Sequence, residues 1–376
     1  MVIGIRLLLA LIGAGLVGIV APAPAPGRVA APVAASVAAG PGRCLAEGWN
    51  LVQEATSDRQ WTGIAVAGDG RVFVCFPRWS PDVPVSVALL TRGEPVPYPD
   101  REWNCWNAGD EADLDPSRRF VCVQSVHVDA RDRLWILDPA SPMFQGVVPG
   151  GAKLLEVDLA ADRVVRTIVF PPHIAPPASY LNDVRVDVAT ETAYLTDSGE
   201  GALVIVDLAS GAMTRRLAGH PATRADGIEV VVDGRRFDRP VHADGIALDA
   251  VGGWLYFQPL TSRTLRRLPL VALRDTGLDD EALAARITEV ADSGVADGLL
   301  YAYGGVLLSA LEAGEVRHVS PGGYMVTLVR DPRVSWPDSF ALGPDGSVWF
   351  TTSQIHLGRK PVTPYRVLRL IPASAR

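Results

Sequence analysis

The sequence predicts an all-β protein, a six-bladed β-propeller closed by an N-terminal strand on the last blade, and three observations carry that reading. One diffuse motif recurs six times from about residue 61 onward: a polar or acidic residue, a short apolar stretch, an Asp/Gly turn, then a β-run with an aromatic. Its copies are separated by roughly 40 to 60 residues, the interval of propeller blades. Pairs such as Asp69-Gly70, Asp233-Gly234 and Asp345-Gly346 suit hairpins, because these residues tolerate positive φ. Finally, strand patterns do not alternate with helical ones, which gives a parallel α/β fold no support and leaves an irregular double sandwich as the competitor.

Taken in order, the chain opens with an export-signal pattern over residues 1–25. Arg6 supplies the positive region, and Leu7 to Val20 form an uncharged apolar run. An uncleaved membrane anchor is the other reading of this run. Residues 26–43, rich in Ala, Pro and Gly, read as a flexible leader, and residues 44–376 as one propeller domain. Cys44, Cys75, Cys105 and Cys122 all lie in the first third of the chain. An even count in an exported protein suggests disulfides, and Cys105–Cys122 is the favoured pair because the intervening loop is short and rich in turn residues. Buried free thiols are the alternative.

The six motif copies begin at Trp61-Thr62-Gly63, Gln124-Ser125, Asn182-Asp183, Asp244-Gly245, Asp297-Gly298 and Asp338-Ser339. Each reads as one four-stranded meander, whose faces are buried only by stacking radially on its neighbours. Ala46 to Gln53 is expected to pair with Val367 to Ile371 and close the ring. Asp279 to Arg286 is the one convincing helical stretch and reads as an insertion between strands.

At 376 residues, with 48% hydrophobic residues and a formal charge of −7, the chain has ample core. It lacks the basic footprint of a nucleic-acid or anionic-lipid binder. A monomer that binds a small-molecule ligand is expected.

The block Phe76-Pro77-Arg78-Trp79, the Ser125 to Asp129 and Arg133 to Asp138 runs, Ala193 to Asp197, and Leu255 to Ser262 occur in an order similar to the yellow/major royal jelly protein family. Trp336-Pro337-Asp338 resembles that family's "WPD" signature. The resemblance spans most of the chain beyond the leader. It implies a secreted propeller whose central channel holds small molecules. Some insect members bind biogenic amines, some are linked to dopachrome conversion, and others are nutritional or structural. A dopachrome-tautomerase-like isomerase is therefore one expectation. A Ca²⁺-dependent gluconolactonase or esterase is a second, and a ligand-sequestering or envelope protein a third.

Propeller geometry gathers the first polar residue of each copy at one channel mouth. Thr62, Gln124 or Ser125, Asn182 with Asp183, Asp244, Asp297 and Asp338 form the expected ring. Converging carboxylates repel and need a cation, a shared proton or water; hydrogen-bonded structural acids are the alternative reading. Gln124, Asn182, Asp183, Asp244, Asp297 and Asp338 are the candidate ligand contacts, with Asp183 and Asp244 as proton carriers. Asn182 and Asp244 would ligate Ca²⁺ if it binds. Leu181 to Val184 resembles an Asn-Asp element of the lactonase propellers, but Thr62 stands where that group carries Glu. His127 and His242 are weaker acid/base candidates, and Trp79, Trp103 and Trp106 could meet an amine by cation–π contact. Arg78 reads as a structural partner, and the Phe76–Trp79 block as scaffold.

Overall fold

The computed structural model describes residues 48–106, 114–358 and 361–373. The expected signal segment, leader and Cys44 lie outside the described residues. Six four-stranded antiparallel sheets are found among those described, arranged as the blades of a propeller. Blade 1 runs from Ile64 to Pro97, blade 2 from Ser125 to Val169, blade 3 from Leu181 to Arg216, blade 4 from Ala243 to Asp292 and blade 5 from Leu299 to Arg330. Blade 6 combines Pro337–Leu342, Val348–Thr352 and Tyr365–Pro372 with the N-terminal strand Trp49–Ser57. That strand places Leu51 opposite Leu370 and Ala55 opposite Val367, and runs four residues past the expected Gln53.

Residue pattern follows distance from the axis. Inner strands such as Leu181–Asp187 and their neighbours such as Leu134–Asp138 are buried throughout. The outer strand Arg163–Val169 alternates between exposed and half-buried positions, the signature of a sheet edge wetted on one face. The core is divided among the interfaces between blades. Trp135 and Leu137 of blade 2 pack with Val184, Leu195 and Val204 of blade 3. Ile64 and Val74 of blade 1 meet Ala341 and Val367 of blade 6.

Two glycines explain why Asp-Gly recurs on inner strands. A Cβ on Gly245 would lie 2.1 Å from the Asp297 carbonyl oxygen, and one on Gly298 would lie 1.8 Å from that of Asp338. Each inner strand thus approaches the next one backbone to backbone, which only glycine allows. Side chains tie other neighbours: Thr62 Oγ1 donates to the Gln124 carbonyl at 2.8 Å, and Thr196 Oγ1 to that of Asp244 at 2.6 Å.

Asp69-Gly70 and Asp345-Gly346 join strands within blades 1 and 6, as expected. Asp233-Gly234 instead turns a small hairpin, Val231–Val232 with Arg235–Arg236, in the long connection between blades 3 and 4. The expected helix occupies Asp280–Ala284, capped by the Asp279 carboxylate accepting from Ala282 N at 2.8 Å, and a second helix spans Leu270–Arg274. Both interrupt blade 4 before its outer strand.

The Cys105–Cys122 pairing is not formed. Cys105 Sγ lies 3.0 Å from the Glu102 carbonyl and 3.2 Å from Arg119 Nε, whereas Cys122 is buried 3.9 Å from the Tyr180 hydroxyl. Cys75 is also a buried free thiol, and burial pushes both buried thiols up to about 12. Packing, not cross-linking, is the role of these two.

Candidate functional site

At one end of the channel, the inner strands and the loops that enter them enclose a cavity of about 520 Å³. β-bulges interrupt the inner hairpins beside Asn182-Asp183, Asp244 and Asp338-Ser339, re-aiming side chains where regular alternation would not. Gln124, Asn182, Asp244, Asp297 and Asp338 all line the cavity, so five of the expected ring positions come together. None of these five is more than 7% exposed. Loops add the aromatic wall: Trp79, Phe144, Tyr180, Phe237 and Trp336.

The wall is cross-braced. Trp79 Nε1 donates to the Tyr180 hydroxyl at 2.7 Å, which donates to Gln124 Oε1 at 3.0 Å. Phe144 stacks on Trp79 with ring centroids 5.4 Å apart, and lies 5.2 Å from the Tyr180 ring. On the other side Phe237 meets Trp336 edge-on at 5.0 Å, and the Trp336 Nε1 donates to Asp297 Oδ2 at 2.7 Å.

The acids are held away from their ordinary ionisation. Burial first, then the negative charges of Asp183 and Asp338, lifts Asp244 well above the usual carboxylate range; a side-chain hydrogen bond with Asp297 opposes the rise. Asp297 is lifted in the same way by burial and by Asp338 and Asp244, against the Trp336 bond. Burial and mutual repulsion thus both favour the neutral form of Asp244 and Asp297. Asp338, bonded by Ser353 Oγ at 2.7 Å and Ser339 Oγ at 3.1 Å, is raised by burial to about 7.

This has a consequence for stability. A buried acid with a raised pKa keeps its proton in the folded state at a pH where the unfolded chain has lost it. The folded state then binds more protons between pH 4 and about 7, and this contribution falls as pH rises through that window. The buried histidines, with depressed pKa values, act in the opposite sense below about pH 6.5. The difference between Asp338→Asn and wild type isolates the acid. The melting temperature of the variant should gain on wild type as pH goes from 5 to 8, by about 2 °C for each kcal/mol relieved. A gap that does not change with pH would refute the assignment.

Other expected residues lie elsewhere. Asp183 does not line the cavity; it accepts from Ser125 Oγ at 2.9 Å and sits 3.7 Å from Arg185, whose guanidinium reaches across to the Leu299 carbonyl of blade 5 at 2.7 Å. Burial raises Asp183, and Arg185 restrains the rise. Thr62 is fully buried on the Gln124 carbonyl. Burial and the Arg185 charge push His127 down to about 3, so it stays neutral. His242 Nδ1 accepts from Ala225 N at 3.0 Å, a structural bond. Trp103 packs on Phe120 and Trp106 joins the core between blades 2 and 3, so of the three tryptophans only Trp79 reaches the cavity. Trp79 also makes the Phe76–Trp79 block part of the site, contrary to its reading as scaffold. Arg78 is buried and donates to the carbonyls of Val83 and Val121.

Tyr180, Phe144, Phe237 and Arg239 were not singled out from the sequence. Tyr180 directly precedes the Leu181-Asn182 strand start, the one signal that could have found it; the others sit in loops with no period.

The oxygen set for a lactonase-type calcium ion does not fit. Asn182 commits its amide nitrogen to Ser198 Oγ at 3.1 Å but keeps its oxygen. Asp244, however, is pushed by burial toward its neutral form, and Thr62 brings no carboxylate from blade 1. Among the described residues no group of three or more His, Cys, Asp or Glu is arranged to hold a metal.

A family model described as "Major royal jelly protein" matches residues 121–312. No curated protein matches the chain. Among solved structures, a gluconolactonase from Xanthomonas campestris is similar over 87% of this chain and 91% of its own, at 12% identity and a TM-score of 0.56. A luciferin-regenerating enzyme matches over 87% of this chain and 96% of its own, at 12% identity and a TM-score of 0.54. The PQQ-bound aldose sugar dehydrogenase of Streptomyces coelicolor matches over 86% of this chain and 99% of its own, at 11% identity and a TM-score of 0.50. At these identities the likeness is one of fold, and the three differing activities show how many chemistries one propeller hosts.

Proposed function

The chain belongs to the major royal jelly protein family, and from that premise we propose that it is an exported propeller that binds a small organic cation in the cavity at its channel mouth. Arg6 and the apolar run Leu7 to Val20 support export. The observation that carries the ligand reading is the pairing of buried carboxyls with an aromatic wall. Asp244, Asp297 and Asp338 supply buried acidic groups, and Trp79, Tyr180 and Trp336 supply aromatic rings. An organic ammonium group is stabilised by both, whereas a neutral or anionic ligand would leave the acids uncompensated.

Binding such a cation favours the ionised acids and expels a proton. Titration of 2-phenylethylamine at pH 7, in buffers of different ionisation enthalpy, should therefore show net proton release on binding. Absence of binding at millimolar ligand would sink the reading.

The place of Asp338 in the cavity wall favours catalysis as a second reading. A carboxyl with a pKa near 7 can both give and take a proton at neutral pH, the requirement for tautomerisation. Asp338 would then be the proton carrier, acting on a catechol-derived substrate held against the aromatic wall. Conversion of dopachrome above its spontaneous rate separates this from ligand sequestration.

A further inference from the structure

The cavity is chemically polarised along its depth. Its acids are almost fully buried, but Arg239, which also lines it, is exposed. Arg239 lies just after the small connecting hairpin, and its guanidinium sits 6.0 Å from the centre of the Phe144 ring. Arg236 of the same segment is neutralised by Glu229 and Asp238, each at 3.2 Å. Arg239, by contrast, has no carboxylate partner among the described residues. It also lines an adjoining cavity of about 410 Å³ that shares Trp79, Phe144 and Phe237 with the first one.

We infer that the ligand of this site is amphoteric: an aromatic molecule with a basic nitrogen at one end and an acidic group, such as a carboxylate, at the other. The nitrogen meets the Asp244, Asp297 and Asp338 end, the ring lies along the aromatic wall, and the acidic group meets Arg239 at the mouth. This rests on the organic-cation reading and specifies its ligand. A plain amine leaves Arg239 unmatched, and a diacid meets like charge at the buried end. The guanidinium lies within cation–π reach of Phe144, which places it beside the aromatic wall where a carboxylate on the ring's far end would arrive.

The test compares 2-phenylethylamine with 4-(2-aminoethyl)benzoate, which share a ring and an ammonium group and differ by one carboxylate. By calorimetry at pH 7.5 and low salt, the wild-type protein should bind the benzoate about fivefold more tightly, as a solvent-exposed ion pair gives. In Arg239→Gln that ratio should fall to one or below, and Arg239→Lys should keep part of it. Added salt should shrink the wild-type ratio, because the contact is at the mouth. Equal affinities in wild type, or a preference that survives in Arg239→Gln, would overturn the inference while leaving cation binding intact. If neither compound binds, the cation reading itself fails and this inference falls with it.

Discussion

Replacing Asp244 and Asp297 together by asparagine should weaken binding of 2-phenylethylamine about a hundredfold, the scale of losing a desolvated ion-pair partner. The same change should leave the protein more heat-stable at pH 8, by about 2–4 °C. Both effects follow from one arrangement. The two acids are buried and repelled by Asp338, both are pushed toward the neutral form, and Asp297 is held by the Trp336 indole. Asparagine keeps an acceptor for Trp336 and removes the charge. Acids whose role was to hold blades together would behave oppositely, with lower stability and no change in affinity. Calorimetry and thermal unfolding on the same preparation distinguish the two.

The largest loss of stability is expected from Lys153→Met. Lys153 Nζ lies 2.7 Å from Asp138 Oδ2, and neither side chain is exposed. Asp138 also accepts from Val121 N at 2.7 Å, Cys122 N at 2.9 Å and Ala140 N at 2.8 Å. Burial lowers the Lys153 pKa, and Asp138 opposes that fall. Methionine fills the space but strands a buried carboxylate, which costs about 3–5 kcal/mol. For a domain of this size that is roughly 6–10 °C in melting temperature. Blade 3 repeats the device, with Arg215 2.7 Å from Asp197 and Tyr180 N donating to that same carboxylate at 2.8 Å. A Lys153→Met loss below about 1 kcal/mol in urea unfolding would show that the carboxylate simply protonates. The device bears on the site, since the anchored backbone leads directly into Gln124 on one blade and Asn182 on the other.

The architecture was largely legible because it is periodic. Six motif starts, the Asp69-Gly70 and Asp345-Gly346 turns and the closing strand all follow from spacing and alternation, although the closing strand extends four residues beyond the expected Gln53. The polar ring was legible for the same reason. Its details were not. Asn182 faces the cavity while Asp183 turns to Ser125 and Arg185, and a local bulge decides which does which. A bulge leaves no trace in a two-residue period. Half the cavity comes from loops, where Phe144, Phe237 and Arg239 carry no repeat to read. The disulfide was misjudged because sequence nearness of Cys105 and Cys122 says nothing of depth: one sits beside Arg119 near the surface and the other under Tyr180.

The pairing of Trp49–Ser57 with Tyr365–Pro372 also sets a timetable for biosynthesis. The N-terminal strand leaves the ribosome more than three hundred residues before its hydrogen-bonding partner exists. Until Tyr365–Pro372 has been made, the nascent chain carries an orphan strand and an incomplete circle behind it. Contacts so distant in sequence slow the final step, because the loop-closure entropy is met before any of the pairing is gained. The blades between can assemble on their neighbours as they emerge, yet the circle locks only once both of these strands have been delivered.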